Sequence, residues 1–404
     1  MTRTQQGLPR RAEVVSFLND AYDGWGTQPY FRWKYDLYPE YDPETQTFYS
    51  RVDGDLAAFR RAFYKEIVGS DRTHAMFVLG DTAVGPAYRG QGLYSDLHSE
   101  TVAFSRQQGV HRVSTFNRKT NRTFDANRDR GWRYRELPLK IRLLSPAVVL
   151  RQYTDLVLPE VPIIETAADY VGDRIHIETS DGRVSLRDCV GSEPRTEPLS
   201  RSVGPSVSDR TLAQLIDLAC SNDATEPLQT LVDGWLSTQN RSRTSAVRSE
   251  QTADTVYQVH RERSVSTAAF QGIVDLYDGQ ATSFRRSPTD IRHILQYPDC
   301  EIVLVTLDEE CVGYAVVGPR ANGEILEGRV LELRADHAEV FDLLIDQVEQ
   351  VAVDRGYDIL LVFTDRPIGD LWAAIDQQVL MWRALDQSSP SLVDSCEISL
   401  YDVV

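Results

Sequence analysis

An order of secondary-structure elements that occurs twice is the strongest constraint on the fold of this chain. Residues 47–130 and residues 301–375 both read as strand, strand, strand, helix, strand and helix. Such alternation of strand-like apolar runs with helical periodicity is typical of an α/β fold. The sequence therefore predicts an α/β fold that is duplicated within the chain.

The first copy is preceded by a helical pattern and ends in strand-like residues. Apolar side chains at helical spacing predict helices at residues 13–22 and 93–108. Residues 56–67 fit a strand, although residues 60–66 fit a helix equally well. The other predicted elements are strands at 47–52, 74–84 and 110–116, a short helix at 120–130 and a strand pair at 133–144.

The second copy has the same order, and a segment of different composition separates the two. The predicted elements of this copy are a hairpin at 301–317, strands at 328–333 and 359–363, and helices at 337–353 and 368–375. The middle segment is turn-rich and suggests a hairpin at 174–187 and a helix at 208–220. We therefore predict three pieces: residues 1–144, a middle α+β or linker segment at 145–265, and residues 266–404.

One segment, residues 84–94, has a pattern with specific chemistry. It reads Val-Gly-Pro-Ala-Tyr-Arg-Gly-Gln-Gly-Leu-Tyr and connects a predicted strand to a predicted helix. Gly90 and Gly92 allow backbone N–H groups to turn toward an anion, and the N-terminus of the following helix favours negative charge. Arg89 adds a guanidinium that binds phosphate with two hydrogen bonds. The pattern predicts a phosphate cradle, although an ordinary strand-to-helix turn explains the glycines equally well.

This segment resembles the acetyl-CoA motif of the GCN5-related N-acetyltransferase (GNAT) superfamily. The family motif, Arg/Gln-x-x-Gly-x-Gly/Ala, follows the fourth strand and holds the pyrophosphate of acetyl-CoA, and residues 84–93 match it closely. The later Arg-Gly-Trp at 130–132 is similar to the family's Leu-Gly-Phe/Trp, which extends the resemblance over about residues 12–144. The resemblance implies a GNAT-type mixed central sheet flanked by helices, with acetyl-CoA as co-substrate.

The resemblance also implies which residues bind acetyl-CoA. The backbone of Ala83 and Val84 is expected to contact the pantetheine arm, and Asn121 is expected to hydrogen-bond CoA, unless it only forms a turn. The expected cradle consists of Arg89, Gly90, Gln91, Gly92, Leu93 and Tyr94. At Tyr94 the sequence departs from the family, which usually has Gly or Ala there.

Catalysis of acyl transfer needs a base for the amine and an acid for the thiolate leaving group. The resemblance implies that Asp81, on the strand beside the thioester, is the base, directly or through water; a local cap or ion pair is the alternative. The position of the usual acid, a Tyr, is occupied by Asn127, which has no useful proton to donate. Tyr94, Tyr134 or solvent are the substitutes that remain.

The second copy lacks the features of the cradle. Its strand-to-helix segment, residues 333–337, reads Leu-Arg-Ala-Asp-His, without glycine and with an acidic side chain where phosphate would lie. We therefore predict that this copy is degenerate and binds no CoA. Similar tandem GNAT proteins occur in the enhanced intracellular survival family, whose sterol-carrier-like domain the middle segment faintly resembles.

Aromatic residues are concentrated shortly after the first predicted helix. They include Tyr30, Phe31, Trp33 and Tyr35. They either line a pocket for a hydrophobic or cationic amine, with cation–π contacts, or pack against the sheet.

The balance of charge limits the partners. The chain has 60 acidic and 43 basic residues, a net charge of −17, and only four lysines. This is typical of halophilic proteins, whose charges are screened within about 3 Å at molar salt, although an arginine-rich codon usage also explains the few lysines. We expect neither nucleic acid nor a membrane as partner.

The cysteine and histidine patterns argue against a disulfide framework and against a metal site. The five cysteines are scattered and the seven histidines stand apart from one another, so we predict no metal and no disulfide framework. The first residues have no signal-peptide pattern, so we expect a cytoplasmic protein.

These observations together favour an acetyl-CoA-dependent N-acetyltransferase. A primary amine of a small molecule or peptide would attack the thioester directly. The alternative is a non-catalytic acyl-CoA-binding or regulatory module, which Asn127 suggests. Either activity is compatible with an oligomer.

Overall fold

The computed structural model contains two large mixed sheets with helices packed on them. It describes residues 4–22, 24–68, 73–119, 121–144, 176–179, 182–185, 257–278, 283–322, 325–369, 372–375, 378–385 and 398–403. Within these ranges, no helix has both the length and the apolar character needed to cross a membrane.

The elements before residue 144 follow the predicted order. They are β1 (Gln5–Gln6), α1 (Arg11–Tyr22), α2 (Gln28–Phe31), a π-helical turn (Arg32–Asp36), β2 (Thr47–Val52), β3 (Asp55–Val68), β4 (Thr73–Val84), α3 (Leu93–Gln107), β5 (Arg112–Arg118), α4 (Arg122–Asp129), β6 (Arg133–Glu136) and β7 (Leu139–Leu143).

The later elements repeat this order from residue 301 onward. They are β8 (His176–Thr179), β9 (Gly182–Ser185), β10 (Gln258–Glu262), α5 (Thr267–Asp275), β11 (Ser283–Phe284), α6 (Pro288–Ile294), β12 (Glu301–Leu307), β13 (Glu310–Asn322), β14 (Ile325–Ala335), α7 (Ala338–Asp354), β15 (Ile359–Phe363), β16 (Trp372–Ile375), β17 (Gln378–Ala384) and α8 (Leu400–Val403).

Each large sheet contains one parallel strand pair, and the pairs correspond. The first sheet has the order β1-β2-β3-β4-β5-β17-β6, and the second has the order β10-β12-β13-β14-β15-β7-β16. Strands β4 and β5 are parallel, as are β14 and β15, and a helix connects the strands of each pair. The predicted α/β fold with a duplicated, GNAT-type mixed sheet is confirmed.

The two sheets exchange strands: the first contains β17 and the short β11, which pairs with β3, and the second contains β7. Strand β17, near the end of the chain, lies between β5 and β6 and pairs antiparallel with both. Strand β7, from the first half, lies between β15 and β16 and also pairs antiparallel with both. Each sheet is therefore completed by a strand from the other half of the sequence.

The apolar core has one part that both halves share. Residues of α1 and of the aromatic segment after it, such as Val14 and Phe31, belong to the same buried cluster as Ile291 and Leu304 of the second half. Two further clusters lie under α3 of the first sheet and under α7 of the second sheet. The shared cluster joins the two halves by hydrophobic burial.

Two predicted elements are wrong because their strands pair with distant partners. Residues 372–375 form the strand β16 and not part of a helix, since β7 provides a partner for their backbone. The predicted strand pair at 133–144 consists of two strands that join different sheets. The ambiguous run 56–67 is a strand, almost entirely buried because both faces of its sheet are covered.

The middle segment is described only in part. Strands β8 and β9 form the predicted hairpin at 174–187, and the predicted helix at 208–220 lies outside the described residues. Strand β10, which precedes residue 266, pairs with β12 of the second sheet. The three-piece division of the sequence stays a prediction.

Candidate active site

The predicted phosphate cradle connects β4 to α3. Gly90 and Gly92 have φ angles of 82° and 83°, the left-handed region that favours glycine. A Cβ atom at either position would meet nothing within 4 Å, so the space beside both glycines is open. Gly92 caps α3 without a side-chain hydrogen bond. The first backbone N–H groups of this helix therefore have no side-chain cap and suit an anion.

The remaining cradle residues differ in exposure. The side chains of Arg89 and Gln91 are exposed, and Arg89 Nε lies 3.4 Å from the carbonyl oxygen of Val84. Leu93 is buried in the cluster under α3, so its side chain serves packing. An exposed guanidinium beside an uncapped helix N-terminus is a suitable combination for phosphate.

The backbone ladder between β4 and β5 is short and ends before the cradle. Within the described residues, these strands pair only at Phe77 with Val113 and at Val78 with Ser114. Thr115 Oγ1 then donates to the Leu79 carbonyl at 2.9 Å. Farther along, β4 continues through the predicted pantetheine contacts Ala83 and Val84, which pair with β3 on the other side. Beyond Val78, the edge of β4 that faces β5 has no backbone pairing with that strand among the described residues, and a linear acyl carrier could lie along it.

A β-bulge interrupts β4 just before the cradle. Phe59 of β3 pairs with Ala83 and Arg61 with Gly80, so Asp81 and Thr82 together oppose one residue, Arg60. Asp81 has a φ of 47°, a strained conformation for a residue other than glycine. Such strain is common at functional sites, where surrounding contacts maintain it.

Three donors hold the carboxylate of Asp81. Lys34 Nζ lies 2.7 Å and Trp25 Nε1 2.9 Å from Oδ1, and the Tyr35 hydroxyl donates to Oδ2 at 2.8 Å. Burial favours the neutral acid, but the Lys34 ammonium and these hydrogen bonds outweigh burial and lower the pKa of Asp81. A carboxylate with a low pKa is a weak proton acceptor.

Lys34 is a buried cation surrounded by aromatic rings. Its Nζ lies 5.4–5.7 Å from the ring centroids of Trp25, Tyr30 and Phe63. Burial lowers the pKa of Lys34 to about 8, although the charge of Asp81 opposes this change. Of the two residues in the Lys34–Asp81 pair, Lys34 is therefore the one whose pKa lies near neutral pH.

The aromatic residues that the sequence places near Lys34 are packed inside the protein. Tyr30, Phe31, Trp33 and Tyr35 are all buried in the cluster that joins the two halves. The Phe31 and Tyr35 rings stack with centroids 4.5 Å apart. These contacts favour the packing interpretation over an open aromatic pocket.

A second group of side chains lies on the α3 side of β4. Arg60 Nε donates to Thr82 Oγ1 at 3.0 Å, and its guanidinium lies 4.9 Å from the centroid of the Tyr94 ring. The Tyr94 hydroxyl donates to Asn127 Oδ1 at 3.1 Å. Tyr94 is thus in contact with the residue that stands where the family's acid is expected.

The other predicted residues lie apart from this group. Asn121 caps α4 without a side-chain hydrogen bond and is exposed. Tyr134 is 44% exposed and packs edge-to-face against Phe124. Asn121 remains available to a ligand, whereas no contact in the described part of the chain joins Tyr134 to Asp81.

The corresponding place in the second sheet has different chemistry. Strands β14 and β15 also diverge, after Arg329 and Leu361, and a cavity of about 180 Å³ lies beyond this point. The turn into α7 is short, and the Asp336 N–H donates to the Val312 carbonyl at 3.0 Å. Arg286 in the cavity wall is neutralised by Glu332 and Asp402. The prediction that this copy binds no CoA stays a prediction, and the absence of glycine from its turn supports it.

Sequence reasoning missed Lys34 and Arg60. Lys34 is one of only four lysines and lies within the most aromatic stretch of the chain, which is a usable signal. Arg60 carries a charge into a strand that is otherwise buried on both faces. Charged side chains are rarely buried without a partner, so both positions are informative once burial is known.

Comparison with known proteins identifies relatives of part of the sequence and of the fold. Residues 12–126 match the model of the acetyltransferase (GNAT) family. No curated protein sequence matches the chain. The family match supports acyl transfer as the general chemistry of the first half.

Two solved structures resemble the fold over nearly the whole chain. One is a probable N-acyltransferase of unknown function from Enterococcus faecalis V583, with 12% identity and a TM-score of 0.51, covering 95% of this chain and 73% of that chain. The other is N-myristoyltransferase from Saccharomyces cerevisiae with bound myristoyl-CoA, with 9% identity and a TM-score of 0.53, covering 95% of this chain and 79% of that chain. At these identities the likeness concerns the fold alone.

Proposed function

We propose that this protein is an acetyl-CoA-dependent N-acetyltransferase, because residues 12–126 match the model of the GNAT acetyltransferase family. Its acceptor is a primary amine of a small molecule or peptide. The amine nitrogen attacks the thioester carbonyl, the carbon–sulfur bond breaks, and CoA leaves as the thiolate.

The geometry of the cradle is the observation that carries this proposal. Two glycines with positive φ, an exposed Arg89 and an uncapped helix N-terminus converge where β4 ends. Between Val78 and this place, β4 has no backbone pairing with β5 among the described residues. This arrangement supports a ligand with a diphosphate at one end and a linear arm that runs along β4.

We place the thioester at the bulge formed by Asp81 and Thr82. A bulge leaves backbone groups outside the ladder between strands, and a backbone N–H group there is suited to stabilise the developing oxyanion. The bulge lies on the part of β4 that has no backbone pairing with β5 among the described residues, three residues before Val84.

The contacts of Asp81 favour a modified form of the base that the resemblance implies. Three donors occupy Asp81 and its pKa is lowered, so direct proton transfer to this carboxylate is unfavourable. Lys34, with a pKa of about 8, is the titratable partner. We propose that the Lys34–Asp81 pair accepts the proton of the amine through water.

A non-catalytic acyl-CoA-binding module is the second candidate. Asn127 favours it, because this side chain stands at the position of the family's usual acid and has no useful proton to donate. Release of free CoA thiol from acetyl-CoA upon addition of amines separates the candidates. A transferase releases thiol with at least one amine of a broad panel, whereas a binding module releases none.

Calorimetric titration of acetyl-CoA into the protein at molar KCl tests the co-substrate. We expect micromolar binding by the wild type and none by Gly92→Glu, which places a negative charge in the cradle. Gly109→Glu is the matched control, since Gly109 has a φ of 69° and open space for a Cβ but lies at the opposite end of α3. Failure of the folded wild type to bind would refute the proposal.

A further inference from the structure

Arg320, on β13 of the second half, is a partly buried cation whose guanidinium has no bonded partner in the described part of the chain. Its Nε atom is buried without a hydrogen-bond partner. No carboxylate of the described residues lies within ion-pair distance of the guanidinium. A guanidinium that loses water without gaining an acceptor is unfavourable, so an anion supplied by a ligand is a suitable partner.

The carboxylates nearest to Arg320 in the fold are bonded to other cations. Strands β13 and β14 place Glu327 directly opposite Arg320, but Glu327 Oε2 accepts a hydrogen bond from Arg329 Nε at 2.9 Å. Asp81 is also within electrostatic range of Arg320, and its carboxylate is bonded to Lys34. Two carboxylates are therefore matched by two other cations, which leaves the charge of Arg320 in excess.

The ring of Tyr30 connects Arg320 with the proposed base. Arg320 Cζ lies 6.0 Å from the centroid of this ring and Lys34 Nζ lies 5.7 Å from it, so the two cationic groups are within about 12 Å of each other. Lys34 Nζ in turn lies 2.7 Å from Asp81 Oδ1. A residue of the second half thus brings a positive charge close to the reaction centre proposed for the first half.

Tyr22 of α1 lies where solvent reaches the bulge of β4. Its hydroxyl donates to the Thr82 carbonyl at 2.5 Å, and the residue is 43% exposed. Both Asp81 and Arg320 are within electrostatic range of its phenol group. An acceptor that approaches the bulge from the side of Tyr22 therefore comes under the influence of Arg320.

We infer that Arg320 binds an anionic group of the acceptor, so that the preferred acceptor is an amine that also carries a carboxylate. The inference rests on the proposed function, since the amine must reach the thioester at the bulge. The carboxylate accepts two hydrogen bonds from the planar guanidinium. Arg320 is therefore a specificity-determining residue that the second half contributes to the site.

The carboxylate takes no part in the bonds that form and break. The amine nitrogen bonds to the acyl carbon, the carbon–sulfur bond breaks with its electron pair on sulfur, and the amine proton passes through water to the Lys34–Asp81 pair. A diamine would instead place a second ammonium beside Arg320, where like charges repel. The net charge of −17 does not exclude an anionic acceptor, because molar salt screens the surface charges within about 3 Å.

Amines that are matched in length and differ in charge test the inference. Thiol release from acetyl-CoA is measured with 4-aminobutyrate, butylamine and 1,4-diaminobutane, and with the corresponding sets of two, three and six carbons, which vary the distance between the amine and the second group. We expect kcat/KM of the best amino acid to exceed that of its alkylamine about tenfold or more, mainly through KM, and the diamine to be the poorest. Saturation-transfer NMR measures binding of the same amines without turnover.

Variants assign the preference to Arg320. Arg320→Gln should raise KM for the amino acid about tenfold or more and change KM for the alkylamine much less, whereas Arg320→Lys keeps the charge and should keep part of the preference. Arg366→Gln is the control, since Arg366 is an exposed arginine of the second half whose guanidinium lies 4.8 Å from the Phe341 ring. Titration of each variant with acetyl-CoA shows whether it is folded.

The outcomes separate this inference from the proposed function. If uncharged or cationic amines are preferred, or if a folded Arg320→Gln keeps the preference for amino acids, the inference is refuted while the transferase stands. If no amine releases thiol but an amino acid binds to the wild type and not to Arg320→Gln, the transferase is refuted while the anion site stands. If there is neither thiol release nor binding, both fail.

Discussion

Trp33 and His293 exchange hydrogen bonds across the two halves of the chain. The indole Nε1 of Trp33 donates to the carbonyl of His293, and His293 Nε2 donates to the carbonyl of Trp33, both at 2.8 Å. The two rings stack with centroids 4.6 Å apart. The contact joins the aromatic segment of the first half to α6 of the second.

This contact also determines the proton position on His293. Since Nε2 donates to a carbonyl, the neutral ring accepts at Nδ1, where the Tyr401 hydroxyl lies 3.0 Å away. Burial lowers the pKa of His293 to about 3, although the bond to the Trp33 carbonyl opposes this change. The junction of the two halves therefore needs a neutral histidine.

The neutral state of His293 predicts a loss of stability in acid. Below pH 6.5 the unfolded chain gains a proton at this residue, whereas the folded protein gains it only near pH 3. The free energy of unfolding should fall by about 2–3 kcal/mol from this residue between pH 6.5 and 4.5. His293→Gln keeps a donor and an acceptor but does not titrate. Denaturant unfolding at both pH values should show a smaller loss for the variant, and an equal loss would contradict the prediction.

The exchanged strand β17 predicts that the first half depends on the end of the chain. Leu380 is fully buried at the centre of β17, between β5 and β6. Leu380→Pro removes a backbone donor there and should cost on the order of 3 kcal/mol. Gln5→Pro, in the exposed edge strand β1, is the control and should cost much less. Acetyl-CoA binding, measured with unfolding, should be lost in Leu380→Pro only.

Two neighbouring arginines should differ strongly in their contribution to stability. Arg286 has a side chain 4% exposed and forms hydrogen bonds with Glu332 and with both oxygens of the buried Asp402. Arg285 pairs with Glu66 at the surface, with 55% of its side chain exposed. Arg286→Met removes the ion-pair partner of Glu332 and leaves Asp402 with Lys65, 3.6 Å away, as its cation, so the change should cost about 3–5 kcal/mol. Arg285→Met should cost about 1 kcal/mol or less. Similar losses in chemical denaturation would show that the buried network has no special role.

Removal of the Asp81 carboxylate should expose the cost of the Lys34 charge. Asp81→Asn tolerates the positive φ but leaves a buried ammonium, so we expect a loss of about 3–5 kcal/mol at pH 7. Lys34→Met combined with Asp81→Asn should recover much of it.

The proposed base is tested by the pH dependence of the stability of the wild type and of acyl transfer by Asp81→Asn. Since burial lowers the pKa of Lys34 to about 8 from an unfolded value of 10.5, the free energy of unfolding of the wild type should rise with pH between these values. Full acyl transfer by Asp81→Asn across this range would exclude the Lys34–Asp81 pair as the base.

Tyr94 on α3 and Asn127 on α4 are in contact. We therefore expect that a tyrosine at either position can place its hydroxyl group in the same part of the site. Tyr94→Ala should lower kcat by roughly 10²-fold, with a smaller effect on KM for acetyl-CoA. Combining it with Asn127→Tyr places a phenol in the space that Tyr94 vacates, and we expect a partial recovery of kcat. Asn127→Tyr alone should be unstable, because position 127 is buried and Tyr94 occupies the space. If kcat does not recover in the double variant, the tyrosine must be attached to α3 to act.

Several features of this protein follow from local sequence patterns. The glycine spacing at 90 and 92 predicted a backbone with positive φ before a helix, and the structure has it. The repeated order of strands and helices predicted the duplicated α/β fold, because apolar spacing of two or of about four residues reports the secondary structure directly. The role of Asp81, the CoA contacts and the expected location in the cell stay predictions.

Other features depend on which distant segments meet. Strands β7 and β17 resemble their sequence neighbours in pattern, so nothing local indicates that they cross to the other sheet. The pairs Lys34–Asp81 and Arg60–Tyr94 join residues separated by 47 positions in the first case and by a strand, a bulge and a turn in the second.

The sequence by itself determined most of the elements, their order and the glycine turn before α3, because these depend on the conformations and apolar faces of adjacent residues. Only the tertiary structure decided the exchange of strands, the neutral histidine at the junction and the charges around Tyr94. Backbone donors and acceptors of a strand accept any partner of suitable register, and the pKa of a side chain depends on burial and on charges brought near by folding.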